Sequence, residues 1–136
     1  MTPQELMAKA QRAAESAVVL LNSGDPDGAC NRAYYAMFDA ARAALQASGA
    51  VVETETIRTH GGLISAFSLH LVKLGRVSVD LGKGLNRAEE LRLIADYKGD
   101  PIETADAAWA VEQARHFVQS MRETFFPVAD NGAATV

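Results

Sequence analysis

The side chains able to do chemistry in this sequence are few. Arg92 is followed four residues later by Asp96 and then by Tyr97, Arg58 stands two residues before His60, and Arg32 lies just ahead of Tyr34 and Tyr35. A guanidinium offers a planar fork of donors that fits phosphate oxygens. An imidazole, with an ordinary pKa of about 6.5, exchanges a proton near neutrality, whereas an aspartate near 3.9 is a poor acceptor unless burial raises it. A cation plus a proton acceptor is what the handling of a phosphate ester requires. Each residue also has a plainer reading. Glu89, Arg92 and Asp96 fall on one helix face, as an ordinary ion-pair cluster would. Arg32 fits a solvated stripe with Asp39 and Arg42, His60 a first-turn residue bonded to local backbone, and Tyr34 an apolar core stripe. His70 and His116 fall within helices, at the surface or partly buried.

Other chemistries lack their residues. Cys30 is the single cysteine, so there is no disulfide framework and no cysteine zinc site; it reads as a small buried hydrophobe. None of the three histidines has a glutamate three residues before it, as a di-iron bundle needs. Gly82-Lys83-Gly84 has neither the spacing nor the preceding strand of a phosphate-binding loop. No metal and no cofactor are expected. A net charge of −4 argues against coating nucleic acid through a broad basic surface but leaves room for a local basic pocket. No apolar run approaches the roughly 18 residues of a membrane span and the N-terminus lacks a cleavable leader, so no membrane contact and a cytoplasmic location are expected.

Helices must position these side chains. Thr2-Pro3-Gln4-Glu5 combines a capping threonine, a proline at the first helical position and a glutamate that reaches back to the cap, and Leu6, Ala10, Ala13, Ala17 and Leu20 then recur on one face, predicting a helix over 3–22. Asp25-Pro26 repeats the start after a link of a few residues, which forces the first two helices antiparallel. The second carries Cys30, Tyr34, Phe38, Ala41 and Leu45 inward and Arg32, Tyr35, Asp39, Arg42 and Gln46 on the opposite side. Val51–Thr56 reads as loop. A third helix is expected over 59–74 with Leu63, Phe67, Leu71 and Leu74 inward and Gly61-Gly62 weakening its first turn. A fourth is expected over 79–97, capped by Ser78 and burying Leu81, Leu85, Ala88, Leu91 and Ala95. A fifth, over 104–125, buries Val111, Ala114, Val118, Met121 and Phe125 before Pro127 stops it. The expected product is all-α: an up-and-down four-helix bundle with one additional helix in a single domain over 1–126, followed by a mobile tail over 127–136.

Three segments in this order, Asn31-Arg32-Ala33-Tyr34-Tyr35-Ala36-Met37-Phe38, Arg58-Thr59-His60 and Glu90-Leu91-Arg92-Leu93-Ile94-Ala95-Asp96-Tyr97, resemble the HEPN-domain family over roughly residues 5–125. The likeness is greatest to small single-domain members that are toxin-side partners of minimal nucleotidyltransferases. The resemblance implies a four-helix bundle with an added helix, a homodimer, and functional groups near the dimer cleft. The family's ribonuclease signature is an arginine, a spacer of four to six residues and a histidine, often with a tyrosine two residues on. Arg92 matches the arginine, but the equivalent segment offers Asp96 and Tyr97 in place of the histidine and tyrosine, at a shorter spacing, and no arginine here precedes a histidine at the required spacing.

Two readings follow. In the first, the chain is a HEPN subunit with a degenerate nuclease motif, paired with a minimal nucleotidyltransferase in a toxin–antitoxin-like system. It binds nucleotide or RNA through Arg32, Tyr35, Arg58 and Tyr97. In the second it is an active metal-independent endoribonuclease, with Arg92 steadying the phosphorane and Asp96 or His60 taking the proton of the ribose 2′-hydroxyl. The resemblance also makes Tyr97 a candidate for modification with AMP by the nucleotidyltransferase.

Overall fold

The structure, a computed structural model, describes residues 1–128; the tail expected to be mobile over 127–136 lies, apart from Pro127 and Val128, outside the described residues. Five helices, α1 (Pro3–Asn22), α2 (Pro26–Ala47), α3 (His60–Phe67), α4 (Val79–Tyr97) and α5 (Thr104–Phe125), make an all-α bundle without a strand among the described residues. The caps act as their residue types dictate. The Thr2 hydroxyl accepts from the Glu5 amide at 3.1 Å while the Glu5 carboxylate accepts from the Thr2 amide at 2.9 Å, and Asp25 accepts from the Gly28 amide at 2.9 Å. Ser78 accepts from the Leu81 amide at 3.2 Å to start α4. Gly24, at φ 87°, supplies the left-handed stop between α1 and α2.

Helix α2 is the hub, packed against α1, α4 and α5. Thirteen of its residues are buried, which is more than one face, and seven of them are alanines whose small side chains let neighbouring helices approach closely. This corrects the expected polar side of α2: Asp39 is only 4% exposed. Burial raises the Asp39 pKa, an effect that the surrounding charges of Lys9, Arg42 and Arg32 only partly offset. A carboxyl whose folded pKa exceeds its unfolded one favours the fold on the acid side, and that contribution is lost as pH rises through the folded value. Asp39→Asn is therefore expected to raise the melting temperature near neutral pH, with the gain shrinking below the ordinary carboxylate range. A lower melting temperature at neutral pH would mean that the three cations outweigh desolvation.

The predicted inward residues of α1, α4 and α5 are buried or packed on the core. The third helix differs. A 3₁₀ turn (Thr56–Arg58), anchored by buried Ile57, precedes α3, and α3 passes into a π turn (Ser68–Val72) closed by the Lys73 amide on the Ser68 carbonyl at 2.8 Å. The wider turn changes the angular register, so Leu71 stays inside while Leu74, expected inward, is 69% exposed. Gly62 has a specific role: a Cβ there would collide with the Thr56 carbonyl, so glycine lets the 3₁₀ turn lie close over the start of α3, where His60 is placed. The link from α4 to α5 is tied down by buried Ile102, whose amide donates to the Asp27 carboxylate at the start of α2 at 2.9 Å. Cys30 is buried and its thiol is pushed up to about 11 by desolvation and then by Asp27 and Asp106, as befits a packing residue. No helix among the described residues is long and apolar enough to cross a membrane.

Candidate functional site

One face of α2 carries Asn31, Tyr34, Tyr35 and Phe38 at helical spacing, and one face of α4 carries Glu89, Arg92 and Asp96. Where these faces meet, Arg92 is 4% exposed, and its guanidinium carbon lies 5.0 Å from the ring centroid of Tyr34, 5.9 Å from that of Tyr35 and 5.9 Å from that of Tyr97. Aromatic faces attract such a cation, more strongly once water is excluded. Its ion pair with Asp96 is long, at 3.6 Å, and its buried Nε has no partner. The Asn31 amide donates to the two Asp96 oxygens at 3.2 and 3.4 Å, which fixes the carboxylate across the helix interface.

His60 enters from the first turn of α3, held there because Thr59 caps the helix by accepting from the Gly62 amide at 3.0 Å. Its ring packs against Phe38, Tyr34 and Tyr35 with centroids 4.9, 5.5 and 5.8 Å away. Its Nδ1 is 2.7 Å from the Tyr34 hydroxyl, which also lies 3.2 Å from Glu89 Oε2. Desolvation, followed by the charge of Arg92, lowers the His60 pKa, while Glu89 pulls the other way. The imidazole is thus kept neutral at neutral pH, the form that can accept a proton. Burial and the nearby Glu89 charge raise the Tyr34 pKa, so its phenol stays protonated and able to donate.

The sequence-predicted residues divide accordingly. Arg92, Asp96, Tyr97 and Tyr35 share one cluster, and His60 joins it through the Tyr34 ring. Arg32 adjoins it, with its guanidinium carbon 6.0 Å from the Tyr35 ring centroid. Arg58 does not share these contacts; it pairs with Glu55 at 3.4 Å at the surface. The ion-pair reading of α4 is half realised, because Arg92 meets Asp96 while Glu89 turns to Tyr34. The roles of Asn31, Glu89 and the Tyr34 hydroxyl were not singled out from the sequence. Tyr34 does lie in the apolar stripe and is fully buried, yet its hydroxyl is the junction of the cluster. The available signal was the pair of faces on α2 and α4, which helical spacing defines without showing that they meet.

A tyrosine-lined cation, a histidine and two carboxylates thus come together where α2, α3 and α4 of an all-α bundle meet. A family model described as HEPN domain matches residues 3–124. Over 127 residues the chain is 35% identical to the UPF0332 protein glr0978 of Gloeobacter violaceus, covering 90% of this chain and 97% of that protein. A UPF0332 protein of Thermotoga maritima is 36% identical over 95 residues, 70% of this chain and 67% of that one. A Methanocaldococcus jannaschii protein named "Putative toxin MJ0142" is 26% identical over 121 residues, 88% of this chain and 79% of that protein. The chain belongs to the HEPN domain family.

Proposed function

We propose that the chain is a toxin-side HEPN subunit that binds RNA or a nucleotide on the surface formed by Arg32, Tyr35 and Tyr97, and that it pairs with a minimal nucleotidyltransferase. The observation that carries this reading is the run of alternating cations and rings, Arg32, Tyr35, Arg92 and Tyr97, which ends in a tyrosine that is 74% exposed. Exposed rings offer stacking platforms to unpaired bases, and flanking arginines meet phosphates. Names given to relatives in Methanocaldococcus jannaschii, "Putative toxin MJ0142" and "Putative toxin MJ0605", support the toxin side of the reading. Burial of Arg92 and its pairing with Asp96, in a segment that lacks the family signature's histidine, support binding in place of cleavage through that signature.

Binding is tested by fluorescence anisotropy with a labelled single-stranded RNA at two salt concentrations. Tyr97→Ala is expected to weaken binding about 5- to 150-fold, the loss of one base–ring stack at about 1–3 kcal/mol. Arg32→Ala is expected to reduce the salt dependence as well as the affinity. Full-strength binding by both variants, or none by the native chain, would overturn the reading. The exposure of Tyr97 also suits its modification by the nucleotidyltransferase, and co-expression of the two should raise the intact mass of the native chain but not of Tyr97→Phe. Homodimerisation, part of the same reading, is checked by sedimentation at micromolar concentration.

The junction of His60 and Arg92 at Tyr34 favours a second reading, metal-independent endoribonuclease activity. His60 takes the proton of a ribose 2′-hydroxyl, and that oxygen bonds to the adjacent phosphorus. The bond from phosphorus to the 5′-oxygen breaks, and the leaving oxygen takes a proton from water, giving a cyclic 2′,3′-phosphate and a 5′-hydroxyl. Arg92 supplies positive charge near the phosphorane. Incubation of cellular RNA with purified protein in chelator decides this: cleavage lost in His60→Ala supports it, and none by the native chain refutes it.

A further inference from the structure

The Tyr34 hydroxyl is a single oxygen with one proton and two neighbours, His60 Nδ1 at 2.7 Å and Glu89 Oε2 at 3.2 Å. A carboxylate only accepts, and a neutral imidazole has one nitrogen that donates and one that accepts. If Nδ1 were the bare nitrogen, Tyr34 would have to donate to it, and Glu89 would face an oxygen with no proton to offer. Only one arrangement satisfies both contacts: His60 Nδ1–H donates to the Tyr34 oxygen, and the Tyr34 O–H donates to Glu89. We infer that Tyr34 and Glu89 are positioning residues that hold the neutral His60 ring with its proton on Nδ1, leaving the Nε2 lone pair free to accept a proton from a ligand hydroxyl.

Three features of the site agree. Tyr34 is fully buried and seated against Arg92, which holds its ring in place and keeps its oxygen between His60 and Glu89. His60 is half-buried, and Nε2 has no hydrogen-bond partner among the described residues, so this nitrogen is unengaged. Tyr34 stays protonated and His60 neutral in the neutral range, which are the states the chain of bonds requires. When Nε2 gains a proton, the imidazolium keeps its Nδ1–H bond to Tyr34, and the Glu89 carboxylate lies just beyond. Positive charge on the ring is stabilised along the same path that fixed its orientation. The use of this nitrogen on a ribose hydroxyl rests on the cleavage reading, whereas the state of the ring does not.

The experiment is long-range proton–nitrogen correlation spectroscopy on the full chain labelled with ¹⁵N-histidine, above the His60 titration midpoint, with the ring assigned by its disappearance in His60→Gln. In the native chain Nδ1 should carry the proton and Nε2 should give the signal of a bare nitrogen, and Tyr34→Phe should shift the proton to Nε2. Glu89→Gln should lower the His60 midpoint, because the carboxylate that favours the imidazolium is gone. A native ring protonated on Nε2, or a Tyr34→Phe ring unchanged from native, overturns the inference. So does a midpoint that ignores Glu89→Gln. Should Tyr34→Phe fail to fold, the native spectrum and Glu89→Gln still decide. Because the spectra need no RNA, a ring protonated on Nδ1 in a protein that cleaves nothing upholds the inference and removes the cleavage reading. Cleavage with the proton on Nε2 does the reverse.

Discussion

Arg92→Ala is expected to lower folding stability by about 2–3 kcal/mol and to remove the binding of single-stranded RNA together. The stability loss has two sources. The guanidinium lies near three tyrosine rings with little water, where a cation–ring contact contributes up to about 2 kcal/mol, and its removal also leaves Asp96 without its cationic partner. The functional loss follows because Tyr35 and Tyr97 are set around that cation, so without it neither platform keeps its position. Arg92→Lys separates charge from shape: it keeps a cation but not the planar group that lies over rings, and it should recover only part of the stability. Urea unfolding of the three proteins checks the first claim and anisotropy the second. An Arg92→Ala protein with native stability and native affinity would mean that the cluster is incidental to both.

The largest loss of stability is expected at Tyr34. This ring is fully buried and packs against Tyr35, Phe38 and His60 while lying under Arg92, so Tyr34→Ala opens a cavity between α2, α3 and α4 and should cost about 3–5 kcal/mol. Tyr34→Phe keeps the ring and should cost only about 1 kcal/mol, since it removes the hydroxyl shared by His60 and Glu89. The spread between the two substitutions, read from unfolding curves, measures how far Tyr34 serves as packing and how far as a polar junction. Equal costs would show that the hydroxyl network dominates and would contradict the cavity account.

How much of this was legible beforehand depended on the range of the interactions. Helix starts were readable because capping is local: Thr2 with Glu5, Asp25 with Gly28 and Ser78 with Leu81 each act within three residues. The π turn after α3 was not, because the residues around Ser68–Val72 fit an ordinary α pattern as well, and Leu74 was assigned inward as a result. Burial of Asp39 was also unreadable, since amphipathic spacing assumes one wet face and α2 is packed by four helices.

The sequence alone determined the number of the main helices, the extent of α1, α4 and α5 and the antiparallel first pair, because each is written in caps, breakers and 3.6-residue spacing within one segment, and three short motifs carried the likeness to HEPN proteins. It also supplied Arg92, Asp96, Tyr35, Tyr97 and His60 as separate candidates. Tertiary structure alone decided which of them come together. His60 and Arg92 lie on different helices and meet only because both pack against Tyr34, a residue whose place in the apolar stripe concealed its hydroxyl. Glu89 and Asp96 share a helix face, yet one turns to Tyr34 and the other to Arg92 and Asn31. Spacing along a chain defines the face on which a side chain lies; what that face meets depends on the packing of helices distant in sequence.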